Sequence, residues 1–388
     1  VNIFSRDRKT LIAEWWWTVD RELLGALFAL MGIGILMSFA ASPAVAERLK
    51  LGEWHFIIRH MLLLIPTIGV MLGVSLMTPR QARFLALGVL GVSMVLLAAT
   101  LVVGTEIKGS QRWLSFAGQS LQPSEFVKPA FAVIAGWLMA ERMRRTDVPG
   151  HAITLGLLGM IVGMLILQPD VGQTVLILLT WAALLFIAGI SWWVIAVLGG
   201  LGIAGITSAY LLFPHVSRRI DTFLGGDSGD NYQVEKALQS LVEGGWFGRG
   251  PGEAVTKRFL PDAHADFVFS AAAGEFGILF CMALVGLIGF VVWRGLSRAQ
   301  LLNDLFARLA ASALVIQFGL QSAINLMVNI NLIPPKGMTL PFVSYGGTSM
   351  IAVAFGMGIL LALTRRKPQE AIASGLPLER EALRHEAA

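Results

Sequence analysis

The sequence predicts an all-α polytopic membrane protein of about ten transmembrane helices, with a large exoplasmic loop between helices 7 and 8. Three observations carry that prediction: a composition too apolar for water, apolar runs long enough to cross a bilayer, and basic residues confined to alternate connections. Of 388 residues, 55 % are hydrophobic and 14 % charged, and the mean hydropathy is +0.70. A span takes about 20 apolar residues, so ten spans use roughly 200 positions and leave room for loops. Such a chain is neither a soluble enzyme nor disordered. The net charge of +5 and pI near 9.6 do not mark a nucleic-acid partner, because the basic residues sit at membrane edges. Cys281 is the single cysteine, which excludes an intramolecular disulfide and a cysteine metal cluster.

The apolar runs are Leu23–Ala41, Phe56–Met77, Phe84–Val103, Phe126–Ala140, Ile153–Leu167, Thr174–Ile190, Trp193–Phe213, Phe267–Trp293, Leu309–Ile330 and Ser349–Leu363. An even number of spans puts both termini on one side. The ends and alternate loops on that side hold Arg6, Arg8, Lys9, Arg21, Arg80, Arg83, Arg142, Arg144, Arg145, Arg294, Arg298, Arg308, Arg365, Arg366 and Lys367, half of the 30 basic residues. The short loops opposite hold only Arg48, Lys50, Lys108, Arg112 and Lys336. The positive-inside rule therefore makes residues 1–22 a cytoplasmic N-terminus, 23–363 the membrane domain and 364–388 a polar, disordered cytoplasmic tail. Ala44-Val45-Ala46 resembles a signal-peptidase site, but the run before it is about 19 residues, longer than a signal core, and reads as a retained first span. Within the large loop, 214–265, Tyr232–Val242 has helical spacing and stops at Gly244-Gly245, a short interfacial helix.

Ionisable groups at the membrane mark function or a buried partner, and four segments expected on the exoplasmic side collect them. In Lys108–Leu114 and Gln122–Lys128, Ser124 is placed to cap a helix on which Glu125 and Lys128 pair at i,i+3. Arg112 and Lys128 are cations suited to phosphate, with a structural ion pair as the alternative for Glu125 and Lys128. In Gln168–Gln173, Asp170 either caps the sixth span or lines the same cavity. Leu260–Phe269 ends the large loop, with Asp266 either an N-cap or a carboxylate whose pKa Phe267 and Phe269 raise into the range of a general base. The last segment places Asn325 and Asn329 on one helix face, followed by an irregular stretch containing Lys336 and Ser344. Non-helical backbone at such a depth survives only against protein or a water-filled cavity. A polar cavity near the exoplasmic surface follows.

Two features carry less. The glycine-rich Gly244–Gly252 lacks the ending and the strand-to-helix setting of a nucleotide loop. The six histidines, His55, His60, His151, His215, His264 and His385, have no zinc-ligand spacing.

The segments KGSQRWL, QPSEFVKPA, LQPDVGQ, NYQVEKAL…GGWFGRGPG, LPDAHADFVF and NLIPPKGMTLPFVSYGGTS resemble, in order and spacing, the SEDS family (shape, elongation, division and sporulation), and its division member more than its elongation member. The resemblance implies a ten-helix inner-membrane glycosyltransferase that polymerises lipid II into peptidoglycan and works at the division septum with a class B penicillin-binding protein and other division proteins. It implies Asp266 as the catalytic carboxylate and matches Arg112, Glu125 and Lys128 to the family's functional positions; with Asp170, Lys336 and Ser344 from the polar segments, these are the expected substrate-binding residues. Where the family usually has Thr before that Asp, this chain has Ala265, and its usual acidic pair reads Gly274-Glu275. Glycan polymerisation needs a base for an acceptor hydroxyl, cations for a diphosphate leaving group and an opening for a polyprenyl tail. A leaving group this good needs no strong acid, so one carboxylate suffices where glycoside hydrolysis uses two. A divalent cation, Mg or Mn, could assist the diphosphate; no other cofactor is expected. The alternatives are a lipid II flippase, for which a midplane site would be expected, and a non-catalytic division scaffold.

Overall fold

Every apolar run has a helix over it. The computed structural model describes residues 11–52, 54–107, 110–116, 119–212, 217, 221, 229–250, 253–254, 260, 265–334 and 337–366. The helices are α1 (Leu11–Thr18), α2 (Arg21–Arg48), α3 (His55–Ser75), α4 (Pro79–Val103), α5 (Pro123–Arg144), α6 (Gly150–Leu167), α7 (Val171–Ile187), α8 (Trp192–Leu212), α9 (Gly229–Gly244), α10 (Val268–Gln300), α11 (Leu305–Asn329) and α12 (Thr348–Leu363). Six of them, α2, α3, α4, α6, α10 and α11, are long and apolar enough to cross a membrane; α7, α12 and the first part of α8 are shorter apolar helices. α5 is less apolar because it carries Glu125, Lys128, Glu141, Arg142 and Arg144. α9 covers the helix expected at Tyr232–Val242. α2 runs unbroken through Ala44-Val45-Ala46.

The basic residues expected on the cytoplasmic side gather at one end of the bundle. Asp20 caps α2 by accepting from the Leu23 amide at 3.0 Å and also takes Arg294 and Arg298 from the last turns of α10. Arg365, just after α12, donates to Thr18 at 3.0 Å and to the Leu76 carbonyl at 3.3 Å. Arg144 at the end of α5 pairs with Asp304, the N-cap of α11. Arg6, Arg8, Lys9 and the tail from Lys367 onward lie outside the described residues.

α5 is the axis of the bundle, with most of its side chains buried. It approaches α11 closely where Gly136 faces the Ala310 backbone; a Cβ there would stand 2.8 Å from the Ala310 nitrogen. α2 is similarly close to the 331–347 connection, because Gly34 lies under the Phe342 carbonyl.

Two features depart from the predicted all-helical chain. A three-stranded antiparallel sheet, β1 (Thr105–Ile107), β2 (Ser110–Phe116) and β3 (Gln119–Leu121), in order β1-β2-β3, connects α4 to α5. Its register pairs Thr105 with Trp113 and Leu114 with Leu121. The predicted eighth span is also broken: Gly277 has φ +81° inside α10. Val268–Glu275 is buried before the break, whereas Leu279, Met282 and Val285 after it are exposed as lipid-facing residues are. The glycine-rich segment satisfies the backbone at the break. The Arg249 and Gly250 amides donate to the Gly274 and Glu275 carbonyls, each at 3.1 Å, and the Ile278 and Leu279 amides donate to Gly245 and Trp246 at 2.9 and 3.3 Å. Only glycine fits at Gly248, where φ is +82° and a Cβ would lie 2.0 Å from the Glu275 carbonyl oxygen.

Candidate active site

The end opposite the arginine cluster is built from the sheet, the start of α5, the α6–α7 turn, the start of α10, the end of α11 and the 331–347 connection. β2 brings Arg112 over the α6–α7 turn. Its Nη1 lies 3.5 Å from Asp170 Oδ1, its Nε donates to the Gln168 carbonyl at 3.3 Å, and its Nη2 donates to the Pro169 carbonyl. Gln168 fixes that turn to α4 by donating to the Leu97 carbonyl at 3.0 Å. Asp170 is buried and caps α7 through the Gln173 amide at 3.4 Å, so the capping alternative holds together with the Arg112 contact. Burial pushes its carboxyl above the usual carboxylate range, and Arg112 opposes the shift.

Glu125 and Lys128 form the expected i,i+3 pair at 2.9 Å, both buried. Lys128 Nζ also donates to Gln321 Oε1 at 3.1 Å, and Gln173 donates to Glu125. Glu125, Lys128 and Gln321 border a cavity of about 20 Å³, room for roughly one water. The structural alternative for this pair is therefore the one its surroundings favour. Ser124 is not the cap of this helix: Gln122 occupies that position and Pro123 takes the first turn, where a missing N–H costs nothing.

Asp266 precedes α10, but Phe267 occupies the N-cap position. Phe267 and Phe269 are buried. The Asp266 backbone is clamped from α11, with Asn325 and Asn329 each donating a side-chain N–H to its carbonyl at 3.0 Å. Asn329 Oδ1 accepts from the Ser270 amide at 3.1 Å, and Asn325 also holds the Met338 carbonyl at 2.6 Å. The Asp266 carboxylate faces the 331–347 connection, where a Cβ on Gly337 would stand 3.8 Å from Oδ2. Ser344 is wholly buried, and its hydroxyl accepts the Leu340 amide at 2.9 Å, closing a turn. Lys336, like Lys108, Asp262 and His264, lies outside the described residues.

The arrangement thus joins Arg112, Asp170, Glu125 and Lys128 in one polar network and hangs Asp266 on the same helix that meets Lys128. Sequence reasoning stopped at Asn325 and Asn329. The structure extends their row to Gln321 and Gln317, all at intervals of four and all buried, and adds Gln122 and Gln173 beside Asp170 and Glu125. The i,i+4 spacing of 317, 321, 325 and 329 was the available signal. No group of three or more His, Cys, Asp or Glu side chains comes together among the described residues.

The family described as "Cell cycle protein" (FtsW, RodA, SpoVE) matches residues 21–369. The chain belongs to the FtsW/RodA/SpoVE family. Among relatives in that family, the probable peptidoglycan glycosyltransferase FtsW of Caulobacter vibrioides is 46 % identical over 375 residues, covering 96 % of each chain. That of Pseudomonas fluorescens is 33 % identical over 360 residues, covering 89 % of this chain and 88 % of its own. One similar solved structure is described as "Structural coordination of polymerization and crosslinking by a peptidoglycan synthase complex". It has a TM-score of 0.77 and 27 % identity and covers 90 % of this chain and 98 % of that one. RodA of Thermus thermophilus has a TM-score of 0.67 and 26 % identity, covering 90 % and 97 %. The FtsW/RodA/SpoVE match bears out the SEDS resemblance and the polytopic α-helical membrane fold.

Proposed function

We propose that this chain is a peptidoglycan glycosyltransferase that polymerises lipid II into glycan strands during cell division, in the bacterial inner membrane at the septum with both termini cytoplasmic. Its partner is a cross-linking transpeptidase, a class B penicillin-binding protein; the similar structure of a complex that couples polymerisation to cross-linking supports this. The observation that carries the reading is the placement of Arg112 and Asp266 at one end of the bundle, tied together through α5 and α11.

In the reaction, Asp266 takes the proton of an acceptor sugar hydroxyl as its oxygen attacks the anomeric carbon of the donor. The bond from that carbon to the diphosphate breaks, polyprenyl diphosphate leaves, and the configuration inverts without a covalent intermediate. Arg112 gives two of its five N–H donors to carbonyls of the α6–α7 turn, pairs by charge with Asp170 and remains 19 % exposed, leaving further N–H groups for diphosphate oxygens. Lys336 is the second candidate cation. Asp170, Glu125 and Lys128 support that anion site from beneath, and Ser344 keeps the facing connection in shape.

The polar row on α11 ends at Gln317; toward the arginine cluster the same face continues with buried Ala313 and Leu309. A one-ended polar site suits a transferase better than a flippase. Asp266→Asn tests the assignment in the purified protein with its partner, given labelled lipid II on one side of a vesicle. The clamp from Asn325 and Asn329 holds the backbone carbonyl, so it survives the substitution. Polymer should vanish while thermal stability and partner binding stay near normal. Retention of most activity would move the base to Asp170 or Glu275, and translocation without polymer from the wild-type protein would favour the flippase.

A further inference from the structure

The segment that straps the break in α10 also carries the most exposed aromatic pair in this region. Trp246 is 64 % and Phe247 83 % exposed. Both side chains project from a backbone that is pinned on its other side to residues 274–279 by four hydrogen bonds. Val242, two residues before the end of α9, is exposed as well, and Leu279 and Met282 are exposed on the lipid-facing side of α10 just below. Arg249 completes the group; its Nε donates to the Glu243 carbonyl at 3.1 Å and its side chain is exposed.

Depth along the bundle can be read from α10 itself. The Leu279 amide bonds the Trp246 carbonyl, and Arg298, on the same straight stretch of helix, is bound to Asp20 at the arginine-rich end. Nineteen residues at about 1.5 Å each separate the two levels by roughly 28 Å, close to the ~30 Å of a bilayer hydrocarbon core. If Arg298 marks one interface, Trp246 and Phe247 stand at the other. Aromatic rings with a neighbouring arginine are the side chains that membrane interfaces retain, the rings at headgroup level and the guanidinium against phosphate.

We infer that Trp246 and Phe247, with Arg249, form a lipid-interface anchor that seats the glycine-rich strap in the leaflet opposite the arginine cluster. The occupant of this surface is the bilayer, because the patch is continuous with the lipid-facing side of α10. This goes beyond the proposed transferase reaction and does not depend on it.

The test uses the full chain in phosphatidylcholine–phosphatidylglycerol vesicles. Phe247→Cys and Trp246→Cys, each in a Cys281→Ala background, are labelled with a polarity-sensitive fluorophore, with Glu235→Cys, exposed on α9, as reference. Nitroxide lipids labelled near the headgroup should quench positions 246 and 247 at least threefold more than position 235. Iodide in the buffer should quench them at least threefold less, without any partner present. Equal iodide access at all three positions would overturn the inference. So would protection that appears only after the penicillin-binding partner is added, which would assign the patch to a protein contact. Phe247 supports no packing of the fold, so position 247 decides the outcome even if the Trp246 variant misfolds.

Discussion

Replacing Lys128 by Met separates a structural ion pair from a substrate contact. Met keeps the length of the stem and removes the charge, leaving Glu125 buried with only the hydrogen bond from Gln173 beside it among the described contacts. Breaking a buried pair from one side costs about 3–5 kcal/mol. The lost bond to Gln321 at 3.1 Å overlaps with that cost, so the expected destabilisation is about 4 kcal/mol. Adding Glu125→Gln removes the stranded charge and leaves amides that can satisfy one another, and the double variant should recover to within about 1–2 kcal/mol of wild type. The double variant should thus be roughly 2–3 kcal/mol more stable than Lys128→Met alone, and the coupling exceeds that recovery by whatever Glu125→Gln costs by itself. Denaturant unfolding in detergent measures all four proteins, and lipid II polymerisation is assayed beside it. A Lys128→Met protein as stable as wild type, or a double variant whose losses simply add, would refute the account of the pair as a structural element. A double variant that is stable yet makes no polymer would instead place the Glu125–Lys128 pair on the substrate.

Arg112→Ala should abolish polymerisation and also loosen the α6–α7 turn. Asp170→Asn in the same chain should restore stability without activity, and Arg112→Lys should rescue only in part, since a single ammonium cannot reach two carbonyls and a diphosphate; full activity in Arg112→Ala would move the anion site elsewhere. Gly248→Ala should cost about 3–4 kcal/mol from its left-handed φ and the loss of strap hydrogen bonds, seen as faster amide exchange over 268–279. Gly250→Ala carries a left-handed backbone strain of its own, φ +104°, but its Cβ would meet only the Glu253 side chain at 3.8 Å, so it should cost less by the missing clash. For Asp20, burial raises the carboxyl, but the Leu23 amide and the two arginines outweigh it and hold the pKa below 3.8. A lowered folded pKa means that its stabilisation is present above about pH 3.8 and lost as pH falls through the folded value. The difference in melting temperature between wild type and Asp20→Asn should thus be flat from pH 7 to 5 and close only in stronger acid; closure near neutrality would contradict this.

Hydropathy alone located the helices over the ten apolar runs, because a membrane-crossing helix is specified by its own run of apolar residues and satisfies its backbone internally; α1 was not foreseen and α9 was read from its periodicity. The Glu125–Lys128 pair and the Asp170 cap were legible for a similar reason, since each joins residues within a turn of one another, and the arginines were sorted by the connections they fall in. Distant partners were not legible. Lys128 meets Gln321 across 193 positions and Arg112 meets Pro169 across 57, and no local spacing encodes either contact. The sheet at Thr105–Leu121 escaped notice because its strands are three to seven residues long and their pairing, rather than their periodicity, defines them. The break in α10 was hidden within an apolar run. An unpaired backbone in the bilayer is too costly to stand alone, so whether Gly277 kinks depends on the amides and carbonyls that Gly245–Gly250 bring to it. That strap also decides where the buried half-helix after Asp266 ends. The sequence therefore determined which segments enter the membrane and which chemistry is available, while tertiary contacts decided which polar groups meet, because buried charges and broken helices are stable only against partners that folding supplies.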